Sequence, residues 1–185
     1  MSAESDTEHT TGFGIDSQFG WPLGGTLGGI IGALAFGSLI WLFDPEIVRA
    51  AIPGIYGFEA TGLYGWGIHL VHGAILGLVF GFLVTREFIL GIIRTGAETD
   101  ALENRSDWAR VTAAGFVYGL AIWAILPVIA LPMWTAAAGA EAAADFPAIA
   151  VESMIGHLIF GLVLGLVFAT TVDLHDRDTP EPLEE

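Results

Sequence analysis

Four apolar blocks, each long enough to cross a bilayer as a helix, constrain this chain more than any other feature. They run from about 21 to 43, 66 to 85, 108 to 134 and 149 to 171. A helix of about 20 residues covers the roughly 30 Å hydrocarbon layer. The expected fold is therefore all-α, a four-helix transmembrane bundle. Composition agrees, because 185 residues that are 54% hydrophobic with mean hydropathy +0.66 are too apolar for an ordinary soluble domain.

The second and fourth blocks contain the same stretch twice. His69-Leu70-Val71-His72-Gly73-Ala74-Ile75-Leu76-Gly77-Leu78-Val79-Phe80-Gly81 is repeated as His157-Leu158-Ile159-Phe160-Gly161-Leu162-Val163-Leu164-Gly165-Leu166-Val167-Phe168-Ala169. Residues four apart share a helix face. His69, Gly73, Gly77 and Gly81 thus form one line, and His157, Gly161, Gly165 and Ala169 form its counterpart. The first block carries Gly25, Gly29, Ala33 and Gly37 at the same spacing, and the third carries Gly115, Gly119, Trp123 and Pro127. In lipid no hydrophobic force drives helices together, so such strips work by letting backbones approach and gain dispersion contacts.

The repeat extends further. Phe36-Gly37-Ser38-Leu39-Ile40-Trp41 with Pro45 matches Tyr118-Gly119-Leu120-Ala121-Ile122-Trp123 with Pro127. The chain reads as two parallel-repeat helical hairpins (2+2), one within 17–94 and one within 108–171, joined by a loop at 95–107. Two-span units keep their orientation, so a pseudo-two-fold axis along the membrane normal is expected. The histidine-headed strips are expected beside that axis.

The polar segments set topology. Tails 1–16 and 172–185 are acidic and expected to be disordered. The first lacks a basic region and a small-residue cleavage site, so the first block is expected to be retained as a span. Asp44-Pro45-Glu46 has the form of a helix start, with a short interfacial helix from Glu46 to Ile52 closed by Pro53. Tyr56, Phe58, Tyr64 and Trp66 then suit a membrane–water boundary. Ser106 is the expected N-cap of the third span, and Pro127 is expected to kink or end its regular part. Arg86, Arg94, Arg105, Arg110 and Arg177 would lie with the termini and Arg49 opposite, which makes both termini cytoplasmic in a multi-pass cell-membrane protein.

The net charge is -15 and all six cations are arginine. An acidic, lysine-free exterior is what stays hydrated in concentrated salt, and it repels nucleic acid. With no cysteine there is no disulfide, thiolate metal site or cysteine nucleophile.

The four-span layout, this composition and the doubled His-Leu-x-x-Gly-x-x-Leu-Gly-Leu-Val-Phe motif resemble a group of small membrane proteins of halophilic archaea, some of which carry the label histidine kinase. The likeness spans about Trp21 to Thr171. It implies the fold and brings no activity with it. The label finds no support in a chain without a Gly-rich nucleotide lid or room for an ATP-binding domain.

The candidate site residues are few. His69 and His157 sit near the outer boundary on glycine faces and should point into the bundle. Each could simply bond a carbonyl or hydroxyl on the adjacent helix, worth about 0.6–2 kcal/mol. They could instead ligate a b-type haem from two sides. With His72 they could hold copper or zinc, although Phe160 replaces the His72 counterpart. Glu152 is either a first-turn acid favoured by the helix dipole or a proton-relay partner of His157, with the protic Tyr64 as its repeat counterpart. Trp41, Trp66, Trp123 and Trp134 read as interface anchors rather than a ligand cage.

No Ser/His/Asp or carboxylate-pair constellation points to catalysis. The expected function is a structural or accessory subunit of a membrane assembly, in contact with lipid and with further copies or other subunits. The alternative is a small-solute, ion or proton transporter or channel, and third is a haem- or metal-binding respiratory protein.

Overall fold

The computed structural model describes residues 17–86, 89, 91, 107–138 and 151–172. The elements are α1 (Ser17–Phe43), α2 (Ile52–Gly54), α3 (Gly62–Val84), α4 (Asp107–Ile125), α5 (Leu131–Ala138) and α6 (Val151–Thr171). Among the described residues, four helices are long and apolar enough to cross a membrane: Gly20–Phe43, Gly62–Val84, Trp108–Met133 and Val151–Thr171. The chain is thus an all-α, multi-pass membrane protein. The expectations for the two tails, Ser106, Arg94, Arg105, Arg177 and most of the 95–107 loop lie outside the described residues.

Local signals explain where the helices begin. α3 starts about one turn before the apolar block, because Thr61 is extended and its side chain accepts a hydrogen bond from the Tyr64 N–H at 3.2 Å. Asp44 accepts from the Glu46 N–H at 3.1 Å, as a helix-starting aspartate should, and Glu46 pairs with Arg49 at 3.2 Å.

Beyond Glu46 the chain departs from the expected regular helix. Ile47–Ala51 winds as a π-turn, and α2 carries Pro53 inside it rather than ending before it. The third span does the same. Its regular helix ends at Ile125, just before Pro127, but Leu126–Ala130 forms a second π-turn and the chain continues as α5.

One cause fits both. Each π-turn leads into an apolar residue and a proline, Ile52-Pro53 and Leu131-Pro132. The N–H before each proline reaches back to Ile47 or Leu126. A proline ring crowds the carbonyl four residues earlier and offers it no donor. Widening the turn by one residue moves that carbonyl aside.

α1 is the central helix. It packs against α3 on one side and α6 on the other, while α4 packs on α6. Gly25, Gly29, Ala33 and Gly37 face α3. A Cβ added to Gly25 would lie 2.5 Å from the Gly77 carbonyl oxygen, and one on Gly73 would lie 2.6 Å from that of Gly29. Gly115 and Gly119 meet Gly161 and Gly165 in the same way, a Cβ on Gly115 lying 2.7 Å from Gly165 Cα. The strips therefore close each hairpin on itself instead of lining a central axis. Gly81 continues the α3 strip against the Trp21 carbonyl of α1 at 2.9 Å and also meets the Phe168 ring of α6 at 3.1 Å.

A second strip, which the repeat does not reveal, lies one position away. Gly24, Gly28 and Gly32 sit against Val172, Leu164 and Phe160 of the α6 side. Below it, Phe36, Phe80, Val84, Val111, Phe160, Leu164 and Phe168 form the buried core. The repeat counterparts Phe80 and Phe168 meet edge to face at 5.5 Å. The α1–α6 contact runs along both helices, whereas α3 and α4 scarcely touch. An exact pseudo-two-fold would make those two contacts equal.

Candidate functional site

His69, His72 and His157 lie at the end of the bundle away from Ser17 and Thr171. His69 stands at the head of its glycine strip, and its Nε2 lies 3.0 Å from the Ala33 carbonyl oxygen of α1. A carbonyl can only accept, so Nε2 carries the proton and Nδ1 is left as the acceptor. His157 takes the opposite tautomer. Its Nδ1 donates to the Ser153 carbonyl at 2.7 Å, one turn back on its own helix, which leaves Nε2 as the acceptor. The two matched sequence positions hold the same imidazole with different partners.

Phe36 contacts both rings. Its centroid lies 5.4 Å from that of His69 and 4.6 Å from that of His157. Trp66 covers His69 from another side at 6.2 Å, and Gly37 leaves room for both Trp66 and His69. A phenyl ring thus fills space that a macrocycle held by both histidines would need.

His72 looks away from this pair. Its Nε2 hydrogen-bonds the Tyr56 hydroxyl at 2.6 Å, which ties the connection between α2 and α3 to the helix. Burial pushes the Tyr56 hydroxyl above the ordinary phenol range, so it stays protonated at neutral pH. Among the described residues no group of three or more His, Asp or Glu comes together as metal ligands. His69, His72 and His157 share a region without converging on a point.

Glu152 sits in the first turn of α6 and is exposed. The described hydrogen bond of His157 goes to Ser153 rather than to Glu152. Tyr64 is exposed and stacks on Phe58 at 5.7 Å. Trp41 is exposed and meets Trp66 at 6.1 Å. Trp123 differs, since its indole Nε1 is buried with no hydrogen-bond partner among the described residues. Trp134 lies in α5.

Two residues that matter here are visible in the repeat, although nothing in the sequence assigns them a role. Phe36 is one. Its counterpart Tyr118 is the other: the hydroxyl donates to the Leu76 carbonyl of α3 at 2.8 Å and the ring meets Phe80 at 5.3 Å. Comparison with protein-family models, with curated proteins and with solved structures finds no match.

Proposed function

We propose that this protein is a structural or accessory subunit of a membrane assembly, with no catalysis of its own. The observation that carries the reading is how the spans use their polar side chains. His69 and Tyr118 each spend a hydrogen bond on a backbone carbonyl of a neighbouring helix, Ala33 and Leu76. Glycine seams set backbone against backbone on α1–α3 and α4–α6. These are devices for holding helices in place. Large apolar side chains such as Leu42, Leu63, Val71 and Met133 remain exposed for lipid or neighbouring subunits.

The test is isolation of the tagged chain from its own membranes in mild detergent and high salt. The expected result is an assembly larger than one chain, containing further copies or other membrane proteins in fixed ratio. A monodisperse single chain overturns the proposal.

The second reading, a small-solute, ion or proton transporter, is favoured by three imidazoles and Tyr56 at one end of the bundle. Flux into liposomes would support it. Haem or copper/zinc binding is third, and a Soret band or stoichiometric metal would establish it. Cytoplasmic termini and a high-salt habitat belong to the same proposal. A cysteine at Glu59 should label from outside intact cells and one at Ser2 should not.

A further inference from the structure

Tyr56 and His72 meet well inside the end of the bundle. His72 lies about 15 Å along the helix axis from Gly62, where α3 begins, close to the middle of the Gly62–Val84 span. α1 gives a matching depth, because the bond from His69 reaches Ala33, about 15 Å short of the end of α1 at Phe43. Helix side chains lean back toward the start of their helix, so the His72 ring lies over the turn of Ile68 and His69. The Tyr56 hydroxyl, 2.6 Å from Nε2, is therefore still about 9 Å inside the start of α3. A span of about 34 Å overhangs a hydrocarbon layer of roughly 30 Å by only about 2 Å at each end.

Tyr56 reaches this depth on a strap, 44–61, that folds back along α3. The Val48 carbonyl seats on Gly65, where a Cβ would collide with it, and Val48, Ile52 and Pro53 are buried. The turn that follows is open. Gly57 has a φ of 70°, and a Cβ on Gly54 or Gly57 would meet nothing within 4 Å. Gly54, Tyr56, Gly57 and Glu59 are exposed, and so is the bond between Tyr56 and His72. Hydrocarbon offers such groups no hydrogen bond, so at membrane depth they stand where protein buries them or water reaches them. With the Tyr56 O–H donating to Nε2, Nδ1–H of His72 is left as a donor for water or a small solute acceptor.

We propose that the strap and α3 line a water-filled notch in the leaflet away from Ser17 and Thr171, and that water enters it as far as His72.

The chain has no cysteine, so single cysteines report on single positions. His72→Cys and Val71→Cys are reconstituted in phosphatidylcholine liposomes and met on both faces by a charged methanethiosulfonate that does not enter hydrocarbon. Val71 shares the depth of His72 but is an exposed apolar residue on another side of α3. The expected result is that His72→Cys reacts at least about tenfold faster than Val71→Cys, and a smaller difference overturns the proposal. That variant lacks the bond to Tyr56, so the native pair is read separately. In the unsubstituted chain with isotope-labelled histidine rings, water-edited solid-state NMR in the same liposomes compares His72 with His69, each assigned by its loss in the Gln variant. His69 is packed against Phe36 and Trp66. His72 should draw polarisation from water at least about twofold faster than His69, and equal rates for the two rings overturn the proposal as well.

Discussion

Gly77→Ala places one methyl group where α1 and α3 run closest. A Cβ at position 77 would lie 2.8 Å from Gly29 Cα and would also meet the Gly25 carbonyl. These are backbone atoms, so no rotamer change relieves the clash. The helices must part by about 1 Å to recover an ordinary carbon contact of roughly 3.5–4 Å. A gap of that size forfeits a quarter to a half of each dispersion contact, each worth about 0.1–0.2 kcal/mol when complete. With on the order of 30 atom pairs along the seam, the loss is about 1–2 kcal/mol. Lengthening the bond from His69 to Ala33 adds about 0.6 kcal/mol. Alanine's better helix propensity works the other way, by up to about 1 kcal/mol. Gly67→Ala removes that offset as a control, because Gly67 is exposed on the same helix and a Cβ there meets nothing within 4 Å. Gly77→Ala should therefore unfold about 2 kcal/mol more easily than Gly67→Ala. The assay is unfolding by titration of dodecyl sulfate into mixed micelles, followed by circular dichroism. Equal free energies for the two variants would refute the close α1–α3 seam.

The hydroxyl of Tyr118 can be tested alone. Tyr118→Phe keeps the ring on Phe80 and loses the bond to Leu76, so it should cost about 0.6–1.7 kcal/mol in the same assay; no loss would mean that the bond contributes nothing. His69→Ala and His157→Ala should couple by less than about 1 kcal/mol in a double-mutant cycle, through the Phe36 ring that both touch, because their hydrogen bonds go separately to Ala33 and Ser153. Coupling above about 1 kcal/mol together with bound iron, copper or zinc would move the protein to a redox or metal-handling class.

The spans are legible in the sequence because hydropathy and length leave little freedom, and the Gly25/Gly29 and Gly73/Gly77 faces because a four-residue spacing marks one side of a helix. The partner of each face is not legible. Spacing reports which residues share a side, but not whether that side meets its own hairpin or the other. Gly24, Gly28 and Gly32 show the cost, since they lie one position off the Gly25/Gly29 strip and serve a different neighbour. The π-turns are hidden for a related reason. Pro127 stands out because it closes a repeated block, whereas the carbonyl that Pro132 crowds becomes visible only once the turn is built. At the site, the histidines can be picked from the repeat, but their tautomers cannot. Those depend on whether the nearest carbonyl belongs to another helix, as at Ala33, or to the same one, as at Ser153.

The sequence blocks that match between the two hairpins do not make them meet their neighbours alike, and Gly28 and Tyr118 mark where they differ. Aligning Phe36 with Tyr118 sets Gly28 against Arg110 and Gly32 against Ala114. A Cβ on Gly28 would lie 2.9 Å from a Leu164 methyl and 3.0 Å from the Leu164 carbonyl oxygen, so α1 meets α6 closely because nothing projects there. At the corresponding place α4 carries the long, partly buried side chain of Arg110, which a seam of that depth could not hold. Tyr118 supplies a different attachment. It keeps the ring of Phe36 and adds a hydroxyl that reaches across to Leu76. One hairpin thus has a dispersion seam where the other has a hydrogen bond, which leaves α3–α4 as the weaker joint of the bundle.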